Sequence, residues 1–522
     1  MKAKLRIKNF RTLKNVTVDM RPTMFLLGPN GAGKSTFIKA LLFLTKNLNF
    51  GLKNDKVIYN FPDLNINLRD YDNTVSNNKA NQKITFQLDF KAEASELEHF
   101  SYDELQPDGY TDGFDLSLIG DPLKRTEEAF NSWSEEDLIY YFRDGNANEF
   151  WFAFAKYHNT LEYNLSVDYT NIDVIKKLTI YFDSFKITLV ENNDSRDFGY
   201  VTTEPLFKFR ITSITKQFST VNKKLYEAAL NSIVGYLPLA ESEITFYKIA
   251  QDILRLIEKD LKINKLWHKL SDKEKKKLFF KGILLLVQLK FLIPKTLGYY
   301  LSNSFHFNTV RESPKFAYEL SNDNDYYSIL NSLPTKEDLL SDTYKFNKNI
   351  GSFLRKSGFG KLVYTEYGNG VLRVKLLLLN NNSIDLADAP SGLIQVFPIL
   401  AKIAFSEHDS YDYDFERFSI EQPELHLHPK LQSMLAEFIA KNGNLIIETH
   451  SEHIIKKVQV MFAKKQITDE RVAIYYFENK RGRTKIKKME MDENGFFKEP
   501  WPDGFFDDSF ELTKQLIRAG RN

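Results

Sequence analysis

Gly28-Pro29-Asn30-Gly31-Ala32-Gly33-Lys34-Ser35 fills the pattern GxxxxGK[ST] completely. Glycines at this spacing let backbone N–H groups turn inward around phosphate oxygens. Lys34 adds a compact positive charge, and the Ser35 hydroxyl can reach Mg²⁺. An apolar stretch, Thr23–Leu27, precedes the loop and TFIKALLFL follows it. The first reads as a strand and the second as a helix, whose positive N-terminus then faces the anion.

Three more segments carry chemistry near the other end of the chain. Phe418–Glu424 (FSIEQPE) reads as a strand running into acidic residues, Glu421 and Glu424, with Gln422 between them. That is what a magnesium nucleotide requires opposite a phosphate loop. Lys430–Lys441 reads as a helix closed by Asn442-Gly443. Leu445–Ser451 (LIIETHS) reads as a strand ending in a polar cluster that includes His450. Upstream, Asp388–Gln395 opens a helix to Phe405, and Ser391-Gly392 at its start offers a second anion-binding N-terminus. Pro398 predicts a kink in that helix unless the helix effectively starts later. Phosphate-loop sheets carry ligands at their strand ends, so these segments should converge. Glu424, His426 and His428 alternate, and on a strand they would share one side, near His450 and His453. Imidazole and carboxylate suit zinc; a structural or dimer-contact role is the competing reading.

The four segments, in this order, resemble the ABC-type ATPase heads of the SMC, RecF and OLD-like group. Within it they resemble the AAA15-type ATPases of bacterial anti-phage systems. NFRTLKNVTVDM…FLLGPNGAGKSTFIKALLFL is similar to the group's N-terminal segment, and LADAPSGLIQVFPIL to a divergent ABC signature. IEQPELHLHP is similar to its Walker B and D-loop, IIETHSEHII to its switch-histidine strand, and ENGFFKEPWPDGFFDDSF to a C-terminal segment of the subgroup. The resemblance implies an α/β ABC-type head: a split phosphate-loop domain with a mixed sheet plus helices, a β-rich segment and a helical insertion. It implies that Asn30, Gly31, Ala32, Gly33, Lys34, Ser35 and Thr36 bind the phosphates of ATP. Ser35 and Glu421 would hold Mg²⁺, directly or through water, and His450 would sense the γ-phosphate. Ser391 and Gly392 would touch the nucleotide of the other subunit in a homodimer, with higher oligomers open. Two positions depart from the pattern. Gln422 stands where a catalytic Glu is usual, and Gln can orient a water but cannot accept its proton. Either Glu424 or Glu421 supplies the base, or hydrolysis is slow and ATP acts as a switch, or Gln422 is an engineered trapping substitution. In the signature, Leu393 and Ile394 intervene before Gln395.

The elements that must position these residues are legible in outline. Leu5, Ile7 and Phe10, then Val16 and Val18, predict short strands. Residues 52–80 read as a polar loop, Lys83–Phe90 as a strand and 95–121 as an acidic, turn-rich stretch. Alternation in TLEYNLSVDY and KLTIYFDSFKITLV makes 148–212 β-rich. After Ser213 the spacing turns helical, with Ile253, Leu256, Ile257 and Leu261 on one face and Leu278–Leu297 strongly apolar. Leu362–Leu379 predicts a hairpin turning near Gly368–Gly370, and VAIYYFENKRGRTKIKKMEMDENG another turning at Asn479–Gly482. The expected divisions are 1–95 and 351–478 for the two halves of the head, 96–212 for the β-rich segment, 213–350 for the helical insertion and 479–522 for the hairpin and tail.

Composition limits the alternatives. The 522 residues carry 71 Lys+Arg against 69 Asp+Glu, a net charge of +2, which gives no global field to steer DNA or membranes. Basic runs at Lys273–Lys281 and Lys480–Lys488 are either solvated faces or contacts for nucleic acid, and the first is also open to docking a partner. The absence of Cys removes disulfides, thiolate metal sites and thiol nucleophiles, and fits a reducing cytoplasm. No secretory leader and no membrane span is expected. The leading reading is a sensor ATPase of anti-phage defence that controls a separate effector protein, a nuclease or a toxin. The second is an SMC- or RecF-like DNA repair ATPase. A transporter head is weakest, because most of the chain lies between Lys34 and Ser391. Sustained heptads are missing from 213–300, which argues against a long-armed SMC protein. The short stretch after His450 predicts no second catalytic domain there.

Overall fold

The computed structural model describes residues 1–48, 57–62, 66–76, 82–93, 160–171, 174–182, 185–191, 209–214, 293–301, 305–309, 318–319, 345–367, 371–406, 417–501 and 508–519. The acidic stretch 95–121, the helical face at Ile253–Leu261 and Lys273–Lys281 lie outside them.

In chain order the strands begin β1 (Lys2–Phe10), β2 (Leu13–Met20) and β3 (Thr23–Leu27), and helix α1 (Lys34–Asn47) follows. Short strands β4 (Asn60–Phe61) and β5 (Ile66–Asn67) and the single turn α2 (Tyr71–Thr74) fall where the sequence reads as loop. Then come β6 (Ile84–Glu93), β7 (Thr160–Tyr169), β8 (Val174–Phe182), β9 (Phe185–Glu191), β10 (Phe209–Ile214) and α3 (Ile293–Leu301). The remainder is β11 (Phe305–Phe307), β12 (Tyr318–Glu319), α4 (Lys345–Ser357), β13 (Lys361–Tyr367), β14 (Val371–Leu377), β15 (Ser383–Asp385), α5 (Ser391–Ser406), β16 (Phe418–Glu421), α6 (Pro429–Asn442), β17 (Leu445–Glu448), α7 (Glu452–Ala463), β18 (Val472–Lys480), β19 (Arg483–Lys488) and α8 (Asp508–Ala519).

The chain divides into two compact units. One comprises Met1–Phe10, Lys46–Tyr59 and Leu68–Gly298; the other comprises Arg11–Thr45, Asn60–Asn67 and Tyr299–Asn522. In the first, β1, β6, β7, β8, β9 and β10 pair antiparallel in sheet order β10-β9-β8-β7-β6-β1. Alternation chooses the register. Leu5, Ile7, Phe86, Leu88, Leu165 and Val167 are buried, with Leu5 opposite Leu88 and Ile7 opposite Phe86. A slip of one residue would turn this whole set outward.

The second unit holds a sheet in the order β11-β16-β17-β3-β18-β19. The first five strands are parallel and β19 is an antiparallel edge. Parallel strands covered on both faces need continuous apolar runs. Thr23–Leu27 and Leu445–Glu448 are accordingly buried at every position. Leu393, Val396, Phe397, Leu435, Ile439, Ile454, Ile455 and Val458 from α5, α6 and α7 join the same core, each contributing about 1.5–3 kcal/mol on burial. Helix α5 runs without interruption across Pro398. The predicted hairpin β13–β14 forms, and β12 and β15 pair with β14.

Two polar anchors fix where the sheet begins. Arg417 is fully buried, and its guanidinium donates to the carbonyls of Tyr300 (2.8 Å), Arg21 (2.5 Å) and Pro22 (3.4 Å). Burial lowers its pKa to about 10. Thr23, at the head of β3, donates its N–H to Arg471 O (3.0 Å) and its hydroxyl to Gly443 O (2.8 Å). Placing β17 between β3 and β16 has one consequence for chemistry: Glu448 lies level with Glu421 on one side and Leu26 on the other. Two carboxylates therefore stand at the strand ends nearest the glycine loop.

Candidate functional site

The loop between β3 and α1 takes positive φ at Gly28 (136°), Gly31 (73°) and Gly33 (106°). Two of these glycines are also required by close neighbours. A Cβ on Gly28 would lie 2.2 Å from Phe477 O, and one on Gly33 would lie 2.2 Å from Thr484 Oγ1. Around Gly31 there is open space, and Asn30 and Gly31 are exposed. The loop is held from behind by the β18–β19 hairpin. Asn479 Nδ2 donates to Gly31 O (3.0 Å) and Thr484 Oγ1 donates to Ala32 O (3.0 Å). The Thr484 hydroxyl also lies 2.8 Å from Thr12 Oγ1, and Thr484 N–H donates to Thr12 O (2.9 Å). With these carbonyls fixed outward, the loop is shaped as a nest for an anion.

Lys34 is buried, with Nζ donating to Gly28 O (2.9 Å) and Pro29 O (3.0 Å). Burial lowers its pKa, and Glu448, Glu421 and Glu424 oppose that effect in that order. The Glu448 carboxylate lies 3.5 Å from Lys34 Nζ and accepts from Ser35 Oγ at 2.7 Å. Thr36 is half-buried beside them.

Glu421 ends β16. Thr309 Oγ1 donates to one of its oxygens at 3.3 Å, and His306 Nε2 lies 3.7 Å from the other. His306 is buried with Nδ1 2.8 Å from Ser419 Oγ, and burial pushes its pKa down to about 4, which leaves the imidazole neutral at pH 7. Gln422 follows with φ of 43°, its N–H donating to Glu448 O at 2.7 Å. Glu424 faces the next strand end: it accepts from Thr449 Oγ1 (2.9 Å) and His450 N–H (2.7 Å). Burial, and then Lys34, lowers the pKa of His450 and favours its neutral form. Ser451 caps α7 by accepting from Ile454 N–H (3.1 Å) and donates to Gln432 Oε1 (2.6 Å).

The zinc alternative does not fit. Strand β16 stops at Glu421 and residues 423–426 form a turn, with Gln422 and His426 at positive φ, so Glu424, His426 and His428 do not alternate on a strand. His428 instead caps α6, accepting from Lys430 N–H at 3.4 Å. No group of three or more His, Asp and Glu placed for a metal occurs among the described residues. At the start of α5, Ser391 is exposed and Gly392 is buried; a Cβ on Gly392 would meet His426 O at 2.9 Å. The start of α5 thus packs closely against the turn that leaves the acidic strand.

The structure therefore brings Lys34, Ser35, Glu421, Glu424 and His450 to one set of strand ends, as the sequence implies. It adds Glu448, Asn479, Thr484, His306 and Thr309, which sequence reasoning missed. Glu448 lies in the segment quoted for His450, and Asn479 and Thr484 in the one quoted for the second hairpin, but neither segment shows what these side chains face. The donor set fits a magnesium nucleotide, with an open glycine nest, a buried cation, a hydroxyl and hard carboxylate oxygens. Ser35 and Glu421 would hold Mg²⁺, which supplies charge to the β- and γ-phosphate oxygens.

A mostly parallel sheet whose glycine loop, buried lysine and neighbouring acidic strand ends converge in this way defines a phosphate-loop ATPase. Residues 1–455 match the AAA_15 family, described as an AAA ATPase domain, and the chain belongs to that family. Residues 467–516, which include the β18–β19 hairpin, match a family of unknown function, DUF3696. Among solved structures the chain is similar to an SMC head bound to the C-winged helix domain of ScpA: 11% identity, 94% of this chain and 98% of that one covered, TM-score 0.35. It is also similar to the SMC head domain of Thermotoga maritima, with 9% identity, 94% and 99% coverage and TM-score 0.33. A third is the SMC head with an extended coiled coil bound to the C-terminal domain of ScpA, derived from Pyrococcus furiosus: 10% identity, 99% of both chains, TM-score 0.34. No curated protein sequence matches the chain. Among the described residues no helix is long and apolar enough to cross a membrane.

Proposed function

We propose that this ATPase is the nucleotide-controlled switch of a bacterial anti-phage defence system. Two heads join around ATP, Ser391 and Gly392 of each facing the nucleotide of the other, and the nucleotide state governs a separate effector, a nuclease or a toxin. Asn30, Gly31, Ala32, Gly33, Lys34, Ser35 and Thr36 hold the phosphates, Ser35 and Glu421 hold Mg²⁺, and His450 reads the γ-phosphate. One observation carries the reading. Glu424 grips Thr449 Oγ1 and His450 N–H, while the turn it belongs to packs its His426 carbonyl on Gly392. A displacement at His450 on nucleotide binding therefore has a short, stiff route to the face at Ser391. Gln422, where a carboxylate is usual, fits slow turnover. The test is a plaque assay with the chain and its neighbouring genes, together with co-purification. Protection that is lost in Lys34→Ala, and a partner retained by the parent in a nucleotide-dependent way, are expected. Protection indifferent to Lys34→Ala, or nuclease activity in the purified chain alone, refutes the reading.

A second reading, an SMC- or RecF-like ATPase that binds DNA, is favoured by one feature. The outward face of the β18–β19 hairpin carries exposed Arg481, Arg483 and Lys485. Salt-dependent binding of duplex DNA that weakens when these three become Gln would support it.

A further inference from the structure

With Gln422 unable to accept a proton, three carboxylates remain at the strand ends, and their surroundings separate them. Both oxygens of Glu424 are engaged by the next strand end, one by Thr449 Oγ1 and one by His450 N–H. It is a clamp. Glu421 is backed on both oxygens by the neighbouring strand and its extension, through Thr309 and His306. That places it as a fixed ligand for a cation. Glu448 differs from both. One oxygen is 2.7 Å from Ser35 Oγ, the other is 3.5 Å from Lys34 Nζ, and its side chain is almost wholly buried. Its two oxygens thus face the two side chains of the loop that handle phosphate. Its backbone is pinned too: β17 sits between β3 and β16, and Glu448 O accepts from Gln422 N–H at 2.7 Å.

We propose that Glu448 is the carboxylate that acts on the attacking water in ATP hydrolysis, taking the role the residue type at 422 cannot fill. This rests on the ATPase reading of the site. Without nucleotide, Glu448 is the internal counter-anion of Lys34. The γ-phosphate takes over Lys34, because a phosphate carries more negative charge than a carboxylate, and the Glu448 oxygen that faced Lys34 is left beside it. There Glu448 accepts a hydrogen bond from a water. As the water oxygen bonds to the γ-phosphorus, the bond from that phosphorus to the β,γ-bridging oxygen breaks and its electron pair leaves on ADP. One water proton passes to Glu448, the other stays on the inorganic phosphate, and Glu448 later returns its proton to solvent. Gln422 keeps a positioning part: its N–H orients the backbone of the base.

The experiment measures phosphate release and titrates a fluorescent ATP analogue with Mg²⁺ on the purified full chain, comparing parent, Glu448→Gln and Glu448→Asp. Thermal melts show that the variants fold. Glu448→Gln should lose about a hundredfold or more in turnover. Its affinity for the analogue should be unchanged or higher, since Lys34 has lost its internal competitor. Glu448→Asp, which keeps a carboxylate, should turn over faster than Glu448→Gln. Turnover in Glu448→Gln within about threefold of the parent overturns the proposal. Loss of binding along with turnover also overturns it, because that assigns Glu448 to holding the nucleotide. A parent that does not bind the analogue at all overturns the ATPase reading itself.

Discussion

Thr484 stands behind the phosphate loop and sets its shape, although it lies far from Gly28–Ser35 in sequence. Thr484→Val keeps the β-branched outline and removes the hydroxyl, which strips Ala32 O and Thr12 Oγ1 of that partner. Buried groups left in this way cost about 1–3 kcal/mol. Denaturant melts should show that loss, and ATP affinity should fall several-fold; Thr484→Ser should keep both. An unchanged midpoint and affinity in Thr484→Val would mean that the loop holds itself. At this scale Lys34 and Ser35 were legible, because the local order of strand, glycine loop and helix leaves one arrangement. Thr484 and Asn479 were not, since which strand backs the loop is decided by sheet order, a non-local matter. Glu448 was on view within LIIETHS but read as part of the strand leading to His450; only the register across β16, β17 and β3 shows what it faces.

Helices α6 and α7 are tied by one carboxylate. Glu437 on α6 accepts from Lys441 of its own helix at 2.7 Å and from Lys457 of α7 at 2.7 Å. Hydrogen bonds from these two ammonium groups hold its pKa down to about 2, from 4.5. The folded state thus binds this proton less readily than the unfolded chain, so the contribution is complete above about pH 4.5 and is lost as the pH falls through about 2. The carboxylate is a third exposed, and solvent screening reduces the effect to roughly 1 kcal/mol. Glu437→Gln should therefore be less stable than the parent by about that amount at pH 7, and the gap should close toward pH 2. A gap that is constant with pH, read from urea melts, would assign the loss to packing instead. Periodicity gave most elements of this unit, including the β13–β14 and β18–β19 hairpins. It failed where short segments depart from it. The stretch 52–80 hides β4, β5 and α2 behind polar residues, and Gln422 and His426 take left-handed backbone with no glycine to announce the break in alternation.

At the scale of the whole molecule the proposed assembly has one exposed entry point. Ser391 opens α5 on the surface, beside buried Gly392. Ser391→Glu would set a carboxylate against the partner's γ-phosphate, a repulsion that grows as water is excluded. Light scattering should then show ATP-dependent dimers for the parent and monomers for the variant, with ATPase rate falling in parallel. Dimers of Ser391→Glu as tight as the parent's, with unchanged rate, would place the contact elsewhere.

Strand β3 has β17 on one side and β18 on the other, while Thr12 waits for Thr484. The start of the nucleotide unit is therefore made long before the segments that complete it. At about 5–20 residues per second, roughly 20–90 s separate the emergence of α1 from that of β19. Throughout that interval the apolar face of α1 and both edges of β3 lack their native cover. Such a long-range topology closes slowly. Nascent chains should lean on chaperones most heavily in this window, and ATP can favour the folded unit only once residues near 488 have left the ribosome.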